Sequence, residues 1–359
     1  MSDSTRTLHG LGQRLWLDNI TRDLLDSGTL IQYIDNFNIT GLTSNPTIFD
    51  NAIAGSSSYD DAIREGANLG HDEETIFLEL ALQDLRRAAD LFTPVFLGSE
   101  KRDGWVSMEI SPLLASNTEG SIRAAKEVFE KAQRPNLFIK IPGTAESIPA
   151  IEEAIYAGIP VNVTLLFSPA QYIAAAEAYM RGIERRVANE LDPHVMSVAS
   201  VFVSRWDAAV HEQVPVELQN TLGIAICEQC QAECLRLQRS ERWLRLVEAG
   251  AYPQRLLWAS TGSKDPAARD TLYVESLISP NTINTLPEKT LLAFAEHGKV
   301  GHPMPLDDME AHVIFDAHRA HGVDIHTLAA ELQTKGAEAF VKSWEQLLAR
   351  IRLKSQRVE

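Results

Sequence analysis

A chain of 359 residues is long enough to bury a large core, as one big α/β domain or as two ordinary ones. With 45% hydrophobic and 23% charged residues it reads as a globular protein, which excludes disorder or a fibrous repeat as its main state. Lysine and arginine total 33 against 49 acids, a net charge of −16, so attraction to nucleic-acid phosphates or an anionic membrane cannot drive binding. An anionic ligand would need a few local cations working against the mean field.

The three cysteines, Cys227, Cys230 and Cys234, lie within eight residues, which leaves no long-range disulfide framework. The stretch from Met1 to Leu15 lacks the apolar run of a secretory signal, and no apolar segment approaches about 18 residues. These features point to a cytoplasmic protein.

Short β-type runs alternate with helical periods almost to the C-terminus. The predicted strands are Leu15 to Asp18, Ile39 to Asn45, Trp105 to Ile110, Leu137 to Ile141, Val161 to Phe167, Ser197 to Ser204, Leu256 to Ser260 and Thr282 to Leu286. Between them Glu73 to Phe92, Ser121 to Gln133, Ala170 to Asn189 and Pro266 to Leu277 have amphipathic spacing. Start signals precede several of these helices: Ser168 with Pro169, Asp265 with Pro266, and Thr144 with Glu146. Eight such units predict a single (β/α)8 TIM barrel domain over residues 1–359, for which about 250 residues suffice. The surplus is assigned to a helical insertion at about 57–98 and a helical C-terminal tail at about 306–353. An open nucleotide-binding sheet would need a glycine-rich turn after the first strand; Gly10-Leu11-Gly12 precedes it and lacks the third glycine. Walker A, His-Glu-x-x-His and EF-hand patterns are missing.

Along a barrel strand, alternate side chains face the axis and the surrounding helices. By that parity Asp18, Glu109, Lys140, the pair Asn162 and Thr164, and the pair Ser200 and Phe202 all point inward. Burying an unpartnered polar group costs about 1–3 kcal/mol, so such a set must be mutually satisfied or serve a ligand. Of ten lysines only Lys140 lies within a predicted strand and only Lys264 lies just beyond one. An amine in an apolar wall loses hydration in its charged form, which favours the neutral nucleophile that attacks a ketone to form a Schiff base. Asp18 and Glu109 supply carboxyls for the proton transfers this chemistry needs. The competing reading is a structural ion pair, although such pairs rarely repay their desolvation.

Seven ordered blocks carry a family resemblance: Leu15 to Asn19, Leu42 to Phe49, Val106 to Ile110, Phe138 to Thr144, Val161 to Ser168, Ser197 to Arg205, and Leu257 to Gly262 followed by Leu272 to Val274 and Asn281 to Pro287. In these the chain resembles the bacterial transaldolases, particularly their long form, over nearly its whole length. The resemblance implies a class I Schiff-base enzyme of the non-oxidative pentose phosphate pathway. It would move a dihydroxyacetone unit from sedoheptulose 7-phosphate to glyceraldehyde 3-phosphate, giving erythrose 4-phosphate and fructose 6-phosphate. Lys140 would be the nucleophile, and Asp18 would exchange a proton with the C4 hydroxyl. Glu109 and Thr164 would hold the catalytic water. Asn45, Asn162 and Ser200 would bind the hydroxyls of the three-carbon unit, with Phe202 lining the pocket and Arg205 binding phosphate. Shorter relatives carry a second arginine after the seventh strand; here Lys264 offers a point charge, unless it merely caps the helix expected from Asp265. No cofactor and no metal is implied, because the protonated imine is itself the electron sink. The partners implied are small sugar phosphates, with no nucleic acid and no membrane, and homo-oligomer formation is left open. Short aldolases of the family place a tyrosine where Glu109 stands, which favours transfer over simple cleavage.

The three cysteines fall in a helical pattern with no fourth ligand nearby and read as small buried residues. Six of the ten histidines lie between His297 and His326 and read as part of a solvated tail, His318 and His321 included. Leucines and aromatics at helical spacing over Leu328 to Leu348, Phe340 and Trp344 among them, read as a helix that packs on the barrel and could cover its mouth or a partner. Two rival functions remain: a simple aldolase acting on fructose 6-phosphate, and a non-catalytic sugar-phosphate binder.

Overall fold

A computed structural model describes residues 3–356, so the outermost positions of the expected domain, 1–2 and 357–359, lie outside the described residues. Eight parallel strands close into a barrel in sequence order: β1 (Arg14–Leu17), β2 (Ile39–Thr43), β3 (Trp105–Glu109), β4 (Leu137–Pro142), β5 (Val161–Leu166), β6 (Ser197–Phe202), β7 (Arg255–Ala259) and β8 (Ile283–Leu286). β1 pairs with both β2 and β8, which completes the circle. Each strand falls where the hydrophobic alternation predicts it. One boundary that differs is decided by a cap. The second strand stops at Thr43 because Asn45 is the N-cap of the helix Pro46–Gly55, its Oδ1 accepting from the Ile48 amide at 3.0 Å, with Pro46 in the first turn.

Ser168 caps the helix Pro169–Ala188 in the same way, its hydroxyl accepting from the Gln171 amide. The start signal at Asp265 works differently. Its Oδ1 accepts from the Ala267 amide at 2.8 Å and its Oδ2 from Asn220 at 2.7 Å, so the carboxylate closes a local turn. The helix expected over Pro266 to Leu277 is therefore reduced to Leu272–Ser276. Likewise Thr144 bonds the Ser147 hydroxyl, and the helix begins a turn later, at Ile148.

In the region assigned to an insertion, the helix Glu73–Gly98 packs on β2, β3 and the next helix, Thr118–Ala132, so it occupies the place of the ordinary crossover. The material beyond a plain barrel unit is the pair of helices before it, Pro46–Gly55 and Asp60–Asn68. A buried knot fastens this region: Asp84 accepts from Arg22 Nε at 3.0 Å and from the Tyr59 hydroxyl at 2.9 Å. The tail forms two helices, Met309–Ala320 and Ile325–Ser355, the second capped by Asp324. Among the described residues no helix is long and apolar enough to cross a membrane.

Inside the barrel, rings fill the lower layer. Trp105 stacks on Phe138 with centroids 4.2 Å apart, and Trp16 lies 6.0 Å from Phe138. A Cβ on Gly41 would stand 2.6 Å from both Trp16 Cε2 and the Trp105 carbonyl oxygen, so glycine is required beside that ring. The bottom rim is stitched by Asp103, which accepts from Arg14 Nε of β1 at 2.8 Å and Arg255 Nη1 of β7 at 2.9 Å. Burial pushes the Asp103 carboxyl up, but Arg255 and Arg14 more than reverse this and hold it below the usual range.

Replacing Asp103 with alanine leaves two partly buried guanidinium groups facing each other, and should cost about 3 kcal/mol in urea unfolding at pH 7. Because the folded-state pKa is depressed, this contribution is present above the unfolded-state value of about 4 and is lost as pH falls through the folded value. The gap between wild type and Asp103→Ala should thus narrow on acidification; a gap that is absent at pH 7, or widens in acid, contradicts this role.

Candidate active site

Lys140 sits in the middle of β4, in register with Glu109 of β3 on one side and Asn162 of β5 on the other. Ile139 and Ile141 turn outward to the helices, and the alternation leaves the lysine facing the axis. Its side chain is buried, 7% exposed. Its Nζ lies 3.7 Å from Glu109 Oε2, donates to the Ser44 carbonyl at 3.3 Å, and stands 5.6 Å from the centre of the Phe340 ring. Ser44 is held for this by donating its own hydroxyl to the Ser107 carbonyl.

Burial pushes the Glu109 carboxyl up to about 7, against the pull of the Lys140 charge. Neither of its oxygens has a hydrogen-bond partner of good geometry within the protein, and the buried Thr164 hydroxyl also has none. Asp18, at the end of β1, is also raised by burial, with Lys140 and a 2.7 Å bond from the Thr43 hydroxyl opposing the shift. The Thr285 hydroxyl lies 2.7 Å from that of Thr43 and extends the chain across to β8.

Beyond Thr164, Leu165 has φ = 59°, and the pairing of β5 with β6 slips between Val163 and Leu166. This bulge sits at the Thr164 edge of the site, where a kink re-aims neighbouring side chains. Asn162 lies one layer deeper and is fully buried. Its Nδ2 donates to Ser107 at 3.1 Å and its Oδ1 accepts from Ser200 at 2.7 Å. These bonds tie Asn162 to Ser200 and leave its second Nδ2 proton unspent.

The cup above these residues has a volume of about 270 Å³ and is lined by Asp18, Asn45, Lys140, Thr164, Ser200, Phe202, Arg205 and Lys264. Glu109 and Asn162 stand just beneath it. Since Asn45 spends its Oδ1 on the helix cap, its Nδ2 is the group it can offer. At the rim the Arg205 guanidinium lies 5.1 Å over the Phe202 ring and makes no hydrogen bond or ion pair with any described residue. Burial alone lowers its pKa. An uncompensated, half-buried guanidinium in so acidic a chain is a ready anion site. Lys264 is exposed and caps no helix, because the helix after it starts only at Leu272; it reaches the cup from the turn after β7.

Sequence reasoning missed four residues of this cup. Thr43 and Thr285 could have been found by the same inward parity that found Asp18. Ser260, held at φ = 57° with its hydroxyl 3.0 Å from that of Ser204, gives no sequence signal for its conformation. Phe340 was read as part of a helix that packs on the barrel and could cover its mouth, without a place in the site; its ring is part of the wall. The cysteine and histidine clusters lie outside the site. All three cysteines are buried in the helix Leu222–Gln238, where burial pushes their thiols up. His318 corrects the reading of a solvated histidine tail: it is fully buried, its Nδ1 bonded to the Ile314 carbonyl at 2.8 Å, because the helix Met309–Ala320 packs that face on Leu222–Gln238. His321 next to it is exposed.

The arrangement offers an amine nucleophile, carboxyls to move protons, hydroxyl and amide groups for a polyol, and rim cations for a phosphate. Comparison with known proteins gives the family. Residues 15–351 match the model of the family described as Transaldolase/Fructose-6-phosphate aldolase. A transaldolase of Renibacterium salmoninarum is 41% identical over 357 residues, covering 97% of this chain and 96% of its own. One from Thiobacillus denitrificans is 41% identical over 360 residues, covering 97% and 99%, and transaldolase 2 of Nostoc punctiforme is 38% identical over 356, covering 94% and 93%. The chain belongs to the transaldolase/fructose-6-phosphate aldolase family.

Proposed function

We propose that this enzyme transfers a dihydroxyacetone unit from sedoheptulose 7-phosphate to glyceraldehyde 3-phosphate through an imine on Lys140, as a cytoplasmic step of the non-oxidative pentose phosphate pathway. The observation that carries the reading is the buried Lys140 amine 3.7 Å from a carboxyl raised to about 7. Arg205, assisted by Lys264, takes the substrate phosphate, and the keto carbon comes to Lys140 Nζ. Glu109 as carboxylate accepts a proton from the Lys140 ammonium, and the freed amine adds to the carbonyl carbon while one of its two protons passes to the carbonyl oxygen, making it a hydroxyl. Glu109, now protonated, returns its proton to that hydroxyl, which leaves as water, and the imine keeps the last proton on Nζ. Near neutral pH both forms of Glu109 are populated, as a group that gives and takes a proton in turn requires.

Asp18 then removes the proton of the C4 hydroxyl. The C3–C4 bond breaks, its electron pair enters the protonated imine, and an enamine remains as the aldehyde product departs. Its raised pKa lets Asp18 keep the proton until the acceptor carbonyl oxygen needs it. Thr164 assists Glu109 in holding the water, Ser200 and Asn45 hold the hydroxyls, Asn162 orients Ser200, and Phe202 supplies the apolar wall below Arg205.

Incubation with fructose 6-phosphate and borohydride, followed by peptide mass spectrometry, should place a reduced three-carbon adduct on Lys140, while Lys140→Ala should lose adduct and turnover together. Adduct on another lysine, or full activity in that variant, rejects the assignment. Rates with fructose 6-phosphate alone and with erythrose 4-phosphate added separate transfer from simple cleavage; transfer should dominate.

Charge-assisted hydrogen bonds are worth about 1.5–3 kcal/mol, so Arg205→Leu should lower kcat/KM for phosphorylated donors by roughly 10- to 100-fold. Lys264→Ala should cost less, since its ammonium stays in water. Equal effects in steady-state assays would show that the two cations share the phosphate evenly.

A further inference from the structure

One stripe of the C-terminal helix Ile325–Ser355 closes the cup from above. Residues Gln333, Gly336, Phe340 and Ser343 follow one another at helical spacing, so they share a face. Gln333 Nε2 donates to the carbonyls of Gly143 at 3.0 Å and of Leu165, the bulge residue, at 2.9 Å. A Cβ on Gly336 would stand 3.0 Å from Leu165 Cδ2 and 3.2 Å from Arg205 Nη1, so a small residue there lets the helix descend onto the rim. Thr47 bonds Ser343 at 2.8 Å, and Trp344 meets Phe77 edge-on with centroids 5.1 Å apart. Phe340, the residue between these fastenings, is 7% exposed and holds its ring 5.6 Å from Lys140 Nζ.

We propose that Phe340 is a specificity-determining residue that sets the partition between transfer and hydrolytic loss of the three-carbon unit. The inference rests on the Lys140 imine proposed above. After the first aldehyde leaves, the enamine carbon is nucleophilic, and two electrophiles compete for it. If an acceptor aldehyde arrives, a C–C bond forms and the unit is transferred. If a proton from water arrives, that carbon takes it and the iminium of dihydroxyacetone results. A water molecule then adds to the imine carbon, the C–N bond breaks, and free dihydroxyacetone leaves with Lys140 regenerated. The flat apolar ring over Nζ excludes water from this side.

The test compares wild type, Phe340→Ala, Phe340→Val and Phe340→Leu, scoring free dihydroxyacetone against sedoheptulose 7-phosphate formed from fructose 6-phosphate and erythrose 4-phosphate. Opening that side to water should raise the ratio about tenfold in Phe340→Ala and less in Phe340→Val, while Phe340→Leu, which keeps the apolar bulk, should stay nearest to wild type. Borohydride adduct on Lys140 should persist in all four. An unchanged ratio in the alanine variant, or in the valine variant if alanine prevents folding, overturns the role of Phe340 while leaving the Lys140 imine standing. Absence of adduct in wild type overturns the imine itself, so the two failures are distinguishable.

Discussion

The site depends on one costly placement: an amine and a carboxyl side by side in a barrel interior whose lower floor is aromatic. Lys140 and Glu109 are in register on neighbouring strands, 3.7 Å apart and almost without water. A buried pair of this kind contributes little net stability, because desolvation consumes most of the attraction. Its value is chemical. Burial lifts the Glu109 carboxyl to about 7, where it can both accept and return a proton, and apart from the Lys140 ion pair its oxygens have no hydrogen-bond partner of good geometry in the protein. A core selected for stability alone would have filled those positions with apolar side chains.

Other features follow from supporting that placement. Hydroxyl and amide chains hold the surroundings still: Thr43 on Asp18, Asn162 on Ser200, Ser44 between β2 and β3. The rim holds Arg205, over the Phe202 ring, and Lys264, whose charge also pulls on the Asp18 carboxyl. The tail helix closes it, gripping the β5 bulge through Gln333. Stability is gathered elsewhere, in the ring-packed floor, in the Asp103 rim and in the knot of Arg22, Tyr59 and Asp84.

Much of this could be read from residues because a parallel barrel obeys simple rules. A single inward parity found Asp18, Glu109, Lys140, Thr164 and Ser200, and Ser168 with Pro169 marked the start of a helix. The resemblance supplied expected roles, which the geometry alone does not assign. Local signals failed where a side chain had two local uses: Asp265 with Pro266 has the form of a helix start, but the carboxylate closes a turn and bonds Asn220 instead. They failed again where burial is tertiary. His318 looks like any tail histidine until its helix packs, and Phe340 looks like any core aromatic until the helix descends over Lys140. Ser260 and Leu165 owe their left-handed backbone to strand-end geometry, which neither residue type announces.

The central claim is that Glu109 tunes the chemistry of Lys140, and it is tested most directly by the pH dependence of imine formation in single turnover. Wild type should show an inflection near pH 7 that reports the raised Glu109 carboxyl, and Glu109→Gln, with the same shape but no titration, should lose that inflection together with most of the rate. An inflection that persists unchanged in Glu109→Gln, with the rate intact, would contradict the account.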